Sequence, residues 1–339
     1  MPASTLYQRF TRRFRSGFSG PLVRALPTAA GVIVLNFVLL QMVPGDAVDA
    51  LVAEAGSATA QTTELLRQQY GLDKSPLAQF GDYLVQLGHL SLGDSPRYGM
   101  PVMDVISQRL PNTLILMGLA LAISLGAGIA LGTVMALWAG QWPDRVLSSA
   151  VFVLYSTPGF WIGLMAIVLF AVKLDWLPAG GDSTIGAGLA GLDAFVDKLK
   201  YAILPALTLA SFFVAIYARL TRASVLDVLS QDYVRTARAK GLSPWRITLR
   251  HVLRNALLPL TTVAGAHLGG LLGGAAVVET VFGWPGIGRL TLEAVQAREY
   301  KVLLGILLMS SFIVILANVL VDGLHTRLDP RIAARLKGG

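Results

Sequence analysis

The chain has 339 residues, of which 54% are hydrophobic and 14% charged, and its formal net charge is +8. Such an apolar composition lies outside the range of ordinary soluble domains and indicates a membrane protein. The absence of cysteine excludes disulfides and thiolate metal sites. A basic excess is shared by nucleic-acid-binding proteins and by the cytoplasmic loops of membrane proteins, so its position along the chain decides between them.

The N-terminus combines a basic arm, 1–22, with a long apolar run, 23–43. The run is long enough to cross a hydrocarbon layer of about 30 Å as a helix. A cleaved signal peptide is the alternative, but the run is longer than the roughly 7–15 residues of a signal core, and no small-residue cleavage site follows at once. We therefore predict a first transmembrane helix here.

The segment 44–111 is predicted to lie on the outer side of the membrane and to contain two short helices. One runs through TAQTTELLRQQY and ends at Gly71, because glycine best accepts the left-handed conformation after a helix. The next begins near Pro76, which suits a first helical position. Two interpretations stay open for this segment, a solvated cap and a docking surface for a soluble partner.

Five further apolar runs are predicted to cross the membrane. Lipid offers no hydrogen-bonding partner to an open backbone, and none of the runs shows the alternation of a barrel strand, so each is expected to be a helix. The predicted fold is an all-α polytopic membrane protein with six transmembrane helices, within which 112–322 is the core transmembrane domain and 323–339 a cytoplasmic tail. The five runs are 112–137, 146–172, 202–218, 257–279 and 302–322.

Basic residues concentrate in the N-terminal arm, in the loop 219–256 and in the C-terminal tail. Short cytoplasmic loops carry more Lys and Arg than outer loops, so both termini are predicted to be cytoplasmic. The Gly- and Asp-rich loop 173–201 is then on the outer side. Because the basic charge follows the topology, a nucleic-acid partner is not expected.

The cytoplasmic loop 219–256 is predicted to form two short helices. The first ends at Gly241; in the second, Ser243 is a natural N-cap and Pro244 fits the first helical position. Apolar residues of the first helix recur at Leu226, Leu229, Tyr233 and Ala237, and those of the second at Trp245, Leu249, Val252, Leu253 and Ala256.

A stripe of arginines, Arg246, Arg250 and Arg254, is predicted on another face of the second helix. Like charges at this spacing repel unless an anion faces them. Lipid headgroups could supply that anion. A sharper hypothesis is that the short helix ending at Gly241 inserts into a partner protein.

Several residues of the predicted spans are candidates for hinges or for the translocation path. Pro158, Gly159 and Pro205 are hinge candidates. Small residues at 264–274 could let helices approach closely, and His267 among them either lines a path or bonds a neighbouring helix. The turn FGWPGIG is a candidate outer gate in which Pro285 and Gly286 make the bend, and Glu279 either faces that gate or extends toward the interface. The gate candidates are His267, Glu279, Phe282, Trp284, Pro285 and Gly286.

The stretch DYVRTARAKG followed by RHVLRNALLP resembles the coupling loop of the membrane subunits of ATP-binding-cassette importers, in the dipeptide, oligopeptide and nickel permease branch. Aligned on Gly241, the Glu-Ala-Ala triplet after which the loop is named falls on Arg235, Thr236 and Ala237. The first two positions depart from the general motif. Other stretches that resemble the branch are PGDAVDALV at 44–52, LDKSPLAQF at 72–80, RLPNTLIL at 109–116, STPGFWIG at 156–163, ILPALTLA at 203–210 and ETVFGWPGIGRL at 279–290.

The resemblance implies a type I importer fold and a permease subunit in the bacterial inner membrane. The implied partners are a second homologous permease subunit, two ATP-binding subunits, a periplasmic substrate-binding protein and membrane lipid. A coupling helix at roughly 224–241 would transmit the closure of the ATP-binding subunits. The expected coupling residues are Asp232, Tyr233, Arg235, Thr236, Ala237, Arg238, Lys240 and Gly241.

No enzymatic activity, bound cofactor or metal site is predicted for this chain. It lacks the Gly-x-x-x-x-Gly-Lys-Ser/Thr motif, so ATP and Mg²⁺ are expected in the partner subunits. Its implied substrates are dipeptides or oligopeptides, with nickel, a metal chelate or glutathione as alternatives. An ion-coupled carrier is a remote alternative, since its spans would be expected to bury carboxylates, whereas Asp322 and Glu279 lie at span ends.

Overall fold

The computed structural model describes residues 27, 29–35, 37–38, 41–42, 48–49, 52, 60–89 and 91–328. The predicted arm 1–22 and the tail beyond 328 lie outside these residues, as does much of the first predicted span. Within that span the described residues 29–35 and 37–38 are helical.

Helices dominate the described residues, which confirms the all-α prediction. Helices are numbered from Ala60 onward, and two π-helical stretches are named π1 and π2. The elements are α1 (Ala60–Tyr70), α2 (Pro76–Gly88), β1 (Asp94–Ser95), β2 (Met100–Pro101), α3 (Val102–Leu137), α4 (Trp142–Ser156), α5 (Gly159–Ala166), π1 (Ile167–Lys173), α6 (Gly191–Leu229), α7 (Asp232–Ala239), α8 (Pro244–Arg246), π2 (Ile247–Val252), α9 (Leu253–Ala256), α10 (Leu258–Val281), α11 (Ile287–Gln296) and α12 (Tyr300–Leu328).

The two short helices predicted before the second span are present, with the predicted ends. Gly71 follows α1 with a φ of +66°, the left-handed conformation that glycine adopts without steric cost. Ser75 caps α2 by accepting a hydrogen bond from the amide of Ala78, and Pro76 is the first helical residue. Local turn chemistry therefore determines both ends.

Three described helices are long and apolar enough to cross a membrane without a break: α3, α6 and the Tyr300–Asn318 part of α12. Two further candidates are bent pairs. Trp142–Ser156 and Gly159–Lys173 meet at 103°, and Pro244–Ala256 and Leu258–Gly273 meet at 49°. By length and composition, the described residues thus contain three candidate spans, or up to five if each bent pair is one span. The count of six and the orientation of the termini stay predictions.

The predicted span 146–172 is not one continuous helix. α4 ends at Ser156, and Thr157 takes the extended conformation that a residue before proline prefers. Pro158 caps the next helix, so the predicted hinge at Pro158 and Gly159 is a complete break. At Pro205 the opposite holds, because α6 continues through that proline without interruption.

Two helices extend well beyond the apolar runs that predicted them. α3 begins at Val102 instead of 112, and α6 occupies Gly191–Leu229 instead of 202–218. Hydrophobicity identifies only the apolar part of each helix. The helical hydrogen bonds of the backbone continue beyond it into the flanking polar residues. The outer segment 44–111 accordingly includes the first turns of α3.

The chain divides into two compact units. The first consists of Met1–Pro111 and Gly286–Gly323. Its core joins the start of α3 to α11 and to the start of α12, with Val102, Ile106, Leu290 and Val302 fully buried. Gly305 lies in this core, and a Cβ there would come within 2.8 Å of a Val102 methyl group.

In the same unit, a small hairpin of β1 and β2 precedes α3. Asp94 pairs with Pro101 and Ser95 with Met100 in antiparallel register. Glu299, at the junction of α11 and α12, is buried and accepts a 2.7 Å hydrogen bond from the amide of Arg97 in the hairpin turn. This bond fixes the turn to the junction.

The second unit consists of Asn112–Pro285 and Leu324–Gly339. In it α6 packs against α4, α5 and α10. α3 also approaches α6 closely: a Cβ on Gly128 would lie 2.5 Å from the Cβ of Tyr217, and one on Gly132 would lie 2.4 Å from the carbonyl oxygen of Ala218. These two glycines are four residues apart, the spacing of a helix-contact motif in membranes.

Candidate functional site

The predicted coupling segment forms a separate short helix, α7. α6 ends at Leu229, and Gln231 takes an extended conformation before α7 begins at Asp232. The helix expected at roughly 224–241 is therefore two helices with a break at residues 230–231. That break lets α7 take a direction independent of the long α6.

The end of α7 follows the prediction made for Gly241. Its φ is +73°, its amide donates to the carbonyl of Arg238 at 2.9 Å, and the amide of Leu242 donates to the carbonyl of Ala237 at 3.3 Å. This pair of bonds is the Schellman arrangement, in which glycine occupies the left-handed position. Leu242 also packs onto the cluster that contains Ala237.

One face of α7 is anchored and the other is exposed. Val234 is fully buried and Ala237 is 6% exposed; both pack against Val225, Ile247 and Val252. Ala237, predicted as a coupling contact, thus packs inside this chain. The exposed members of the predicted set are Asp232, Tyr233, Arg235, Thr236, Arg238, Lys240 and Gly241.

A side-chain bond also holds α7 to the segment that follows it. Asn255 donates through Nδ2 to the Tyr233 hydroxyl at 2.8 Å. The hydroxyl of Thr236 donates to the carbonyl of Asp232 within the helix. The exposed face is therefore presented by a helix that is fixed at its buried side.

The predicted apolar face of the second loop helix is confirmed at Val252 and Ala256 and is wrong at Trp245 and Leu249. Trp245 is 69% exposed and Leu249 is 46% exposed, whereas Ile247, Val252 and Ala256 are buried. The reason is π2, whose wider turn inserts one residue and rotates the positions around it relative to an α-helix. Ser243 and Pro244 do occupy the cap and first helical position, although the Ser243 hydroxyl makes no capping bond.

The two aromatic residues of the predicted gate turn are buried. Phe282 and Trp284 are 2% and 0% exposed. The Trp284 indole donates to the carbonyl oxygen of Asn112 at 3.1 Å. The chain turns at Phe282 and Gly283, where the φ of Gly283 is +62°, and bends again at Gly286 before α11. Pro285 and Gly286 follow the first of these turns.

Asn112 is the centre of a polar cluster at this turn. Its amide nitrogen donates to the carbonyl of Pro285 at 2.9 Å, and its amide oxygen accepts from Lys198 at 2.8 Å. Lys198 in turn pairs with Asp182 at 3.4 Å. The cluster joins α3, the loop after π1 and the start of α6 to the turn. Asn112 was not among the predicted site residues. The signal that could have pointed to it is its position directly after Pro111 in the stretch RLPNT.

The same loop contacts the gate turn through its backbone. The amide of Gly181 donates to the carbonyl of Phe282 at 2.8 Å, and a Cβ on Gly180 would lie 2.5 Å from that same oxygen. Only glycine permits this approach at position 180. The Gly- and Asp-rich loop is therefore held against the turn here.

Glu279 is fully buried and accepts a 2.7 Å hydrogen bond from the Thr113 hydroxyl. The expectation that its side chain extends toward the interface is wrong, because α10 continues past it to Val281 and packs it against α3. Because Glu279 is a buried carboxylate, the position of carboxylates no longer speaks against an ion-coupled carrier. A decision between importer and ion-coupled carrier must come from other observations.

His267 lies on α10 beside two aromatic residues of α6. Its Nδ1 is 3.2 Å from the Tyr217 hydroxyl, and its ring centroid is 5.2 Å from that of Phe213. The bond to a neighbouring helix is one of the two roles predicted for it. Of the glycines near it, a Cβ on Gly270 would lie 3.8 Å from the Phe213 ring and one on Gly273 would meet nothing within 4 Å among the described residues, so neither of the two marks a close crossing of backbones.

An ion pair that sequence reasoning missed joins α4 to α6. Arg222 donates through Nε and a terminal nitrogen to the two carboxylate oxygens of Asp144 at 2.8 and 2.7 Å. Asp144 also accepts from the amide of Gly140 and from the Ser148 hydroxyl, and its carboxylate is buried. The two residues are 78 positions apart, so no local pattern indicates the pair.

Comparison with known sequences identifies a family. A family model described as binding-protein-dependent transport system inner membrane component matches residues 128–334. A putative peptide transport system permease protein of Brucella abortus is 38% identical over 92% of this chain and 96% of its own. A glutathione transport system permease protein of Escherichia coli K12 is 40% identical over the same shares, and a probable D,D-dipeptide transport system permease protein of that strain is 41% identical over 89% and 93%.

Comparison with solved structures supports the fold. An inward-facing crystal form of a methionine ABC transporter contains a chain that aligns with a TM-score of 0.53 at 18% identity. The alignment covers 67% of this chain and 97% of that one. At this identity the likeness concerns the fold alone.

Proposed function

This chain belongs to the family of inner membrane components of binding-protein-dependent transport systems, and on that premise we propose that it is the permease subunit of an ATP-driven importer of small peptides. The permease family decides against the ion-coupled carrier and against a membrane enzyme. The chain is a multi-pass membrane component and not itself an enzyme.

The peptide substrate is supported by the relatives. Proteins that share about two fifths of their residues with nearly the whole of this chain are named as peptide, D,D-dipeptide and glutathione permeases. Glutathione is itself a tripeptide derivative, so these names agree on a short peptide with free carboxylates. A glutathione importer is the second candidate, and it is favoured by two relatives at 40–41% identity.

Coupling to ATP is proposed to pass through the exposed face of α7. This face presents Arg235, Thr236 and Arg238 on a helix whose opposite side is buried against the chain's own core. A force on such a helix is transmitted to the packed residues instead of being absorbed by local motion. The proposed assembly has a second permease, two ATP-binding subunits that use ATP and Mg²⁺, and a periplasmic binding protein.

The outer turn is proposed as part of the gate that this motion opens. Glu279, Phe282 and Trp284 are buried in this structure, so opening would have to break the Asn112 cluster or move it as one body. His267 is proposed to lie beside the path. Pro158 and Gly159, at the 103° break, remain the proposed hinge.

Uptake by the complete transporter in proteoliposomes tests the proposal. We expect ATP-dependent accumulation of a labelled dipeptide, abolished by an inactivating substitution in the partner ATP-binding subunit. Accumulation that survives this substitution would contradict the ATP-driven mechanism.

Competition decides the substrate. Unlabelled dipeptide, glutathione and Ni²⁺ are added in turn to the same uptake assay. Inhibition by glutathione at much lower concentration than by dipeptides would select the second candidate, and inhibition by Ni²⁺ alone would reject both peptide candidates.

A further inference from the structure

A cavity of about 320 Å³ opens between α3, α4 and α6 in the second unit. It is lined by Met135, Ser148, Phe152, Arg219 and Arg222. Its walls are thus mainly apolar, with two guanidinium groups among them. Transport as proposed above assigns no role to this cavity.

The two arginines of the cavity differ in their partners. Arg222 donates through Nε and one terminal nitrogen to both carboxylate oxygens of Asp144, so its charge is compensated. Arg219 makes no ion pair with any residue in the described part of the chain; its guanidinium carbon is 6.0 Å from the centre of the Tyr155 ring. With Asp144 and the two arginines together, the cavity carries one uncompensated positive charge. Charge complementarity calls for an anion there.

The level of Arg219 along α6 suits a lipid headgroup. The apolar run of this helix ends at residue 218, directly before Arg219. Guanidinium groups at this boundary meet the phosphates of the adjoining leaflet, and basic pockets between transmembrane helices bind anionic headgroups. In the proposed orientation this is the cytoplasmic leaflet.

The surroundings of the cavity are typical of a lipid-facing surface. Five of the exposed side chains on α4 are large and apolar, beside the exposed Arg145 and Ser149, and the Tyr155 ring stacks on Phe212 with centroids 5.1 Å apart. Helix interfaces within membranes are instead enriched in small residues, as at Gly128 and Gly132. The exposed apolar side chains of α4 are Trp142, Val146, Phe152, Val153 and Tyr155.

We propose that this cavity is a binding site for one anionic phospholipid, with the phosphate at Arg219 and an acyl chain along Phe152 and Tyr155. The Tyr155 ring holds the guanidinium in place by a cation–π contact, and the Asp144–Arg222 pair forms the wall on the other side. The proposal requires only that the chain lies in a membrane, so its failure would leave the proposed transport function intact.

Native mass spectrometry of the full-length chain, extracted from nanodiscs of mixed phosphatidylcholine and phosphatidylglycerol, tests the site. We expect retention of phosphatidylglycerol in preference to phosphatidylcholine. Arg219→Gln should lower that retention about fivefold, which corresponds to the loss of one basic contact near the membrane surface. Arg219→Lys keeps the charge and should retain the preference.

The matched control is Arg238→Gln, which removes the same charge from the exposed face of α7 and should not change retention. Phe152→Ser should lower retention without removing a charge, because it takes away the surface for the acyl chain. The thermal unfolding midpoint of each variant shows that it is folded.

Three outcomes would overturn the proposal. Arg219→Gln could retain as much phosphatidylglycerol as the unmodified chain. Soluble glycerol phosphate could displace the lipid, which would identify an anion site without a lipid chain. Finally, the assembled transporter could retain no phosphatidylglycerol that depends on Arg219, which would mean that another subunit covers the cavity.

Discussion

Two buried polar side chains, Glu299 and Asn112, each hold a turn of this protein against its helices. Glu299 fixes the β-hairpin turn, and Asn112 fixes the gate turn. Each makes a hydrogen bond to a backbone group of a turn, and a buried polar side chain left without its partner costs about 1–3 kcal/mol. Substitutions at these two positions should therefore affect stability more than their size suggests.

The first prediction concerns the pH dependence of stability at Glu299. Burial raises the pKa of this carboxyl above its ordinary value of 4.5, although hydrogen bonds from Arg97 and Ser95 act in the opposite direction. The folded state then holds the proton more tightly than the unfolded chain. Its contribution to stability is complete below pH 4.5 and is lost as the pH rises through the raised pKa.

Glu299→Gln should flatten this dependence, because the amide does not titrate. Thermal unfolding of the purified chain over roughly pH 4 to 8 measures it. Parallel pH profiles for the two proteins would show that Glu299 does not titrate in this range.

The second prediction concerns Asn112. Asn112→Ala removes the donor to Pro285 and the acceptor for Lys198, and should lower the free energy of unfolding by about 1–3 kcal/mol. Asn255→Ala removes one exposed hydrogen bond, to the Tyr233 hydroxyl, and should cost less, about 0.5 kcal/mol. Equal losses in chemical unfolding experiments would show that the cluster does not stabilise the turn.

At the scale of elements, helix contacts in the second unit depend on where glycine replaces a side chain. Gly128 and Gly132 let α3 touch the backbone of α6, whereas Gly126 on the same helix has nothing within 4 Å of its Cβ position. Alanine substitutions at Gly132 and at Gly126 therefore distinguish the effect of helix packing on stability from the effect of helix propensity.

The third prediction follows from this contrast. Gly132→Ala should force α3 and α6 apart and lower stability by about 1–3 kcal/mol, because the new methyl group would meet a backbone oxygen at 2.4 Å. Gly126→Ala should be neutral or stabilising, since alanine favours the helix by about 1 kcal/mol over glycine. The readout is the thermal unfolding midpoint in detergent. A stabilised Gly132→Ala variant would refute the close crossing.

The fourth prediction concerns the end of α7. A Cβ on Gly241 would meet nothing in this chain, so a substitution there acts through its φ of +73°. Gly241→Ala should cost about 1–2 kcal/mol of local stability. Gly241→Asn should cost less, because asparagine tolerates the left-handed region. Hydrogen exchange of the α7 amides distinguishes the two; equal protection in both variants would contradict this account.

On the scale of the whole molecule, the proposed function requires that α7 be rigid toward its own chain and accessible to another. Its buried face meets the first condition, and its exposed arginines meet the second. Substitutions on the exposed face alone should therefore separate membrane insertion, which they leave intact, from ATP-dependent uptake, which they reduce.

The fifth prediction is such a separation. In the assembled transporter, Arg238→Glu should leave membrane insertion intact and reduce ATP-dependent uptake about tenfold or more, because a reversed charge at a contact costs upwards of about 1.4 kcal/mol. Arg145→Glu reverses a charge at an exposed position outside the loop and should have little effect. Normal uptake with Arg238→Glu in a correctly assembled complex would refute the coupling role of this face.

The sequence alone determined the class of the protein, the helix ends at Gly71, Pro76 and Gly241, and the family resemblance. Composition and local turn chemistry depend on residues that are close together in the chain, so they can be read without a structure. The same reasoning identified the coupling segment, whose function stays a prediction.

Only the tertiary structure decided which side chains are buried and against what. The Asp144–Arg222 pair, the Asn112 cluster and the burial of Glu279 join residues that are between 70 and 173 positions apart. The π2 helix rotated the buried face of the second loop helix away from the one that α-helical spacing predicts. Side-chain burial depends on long-range packing, and backbone register can shift by one residue where that packing demands it, so neither is encoded in local sequence periodicity.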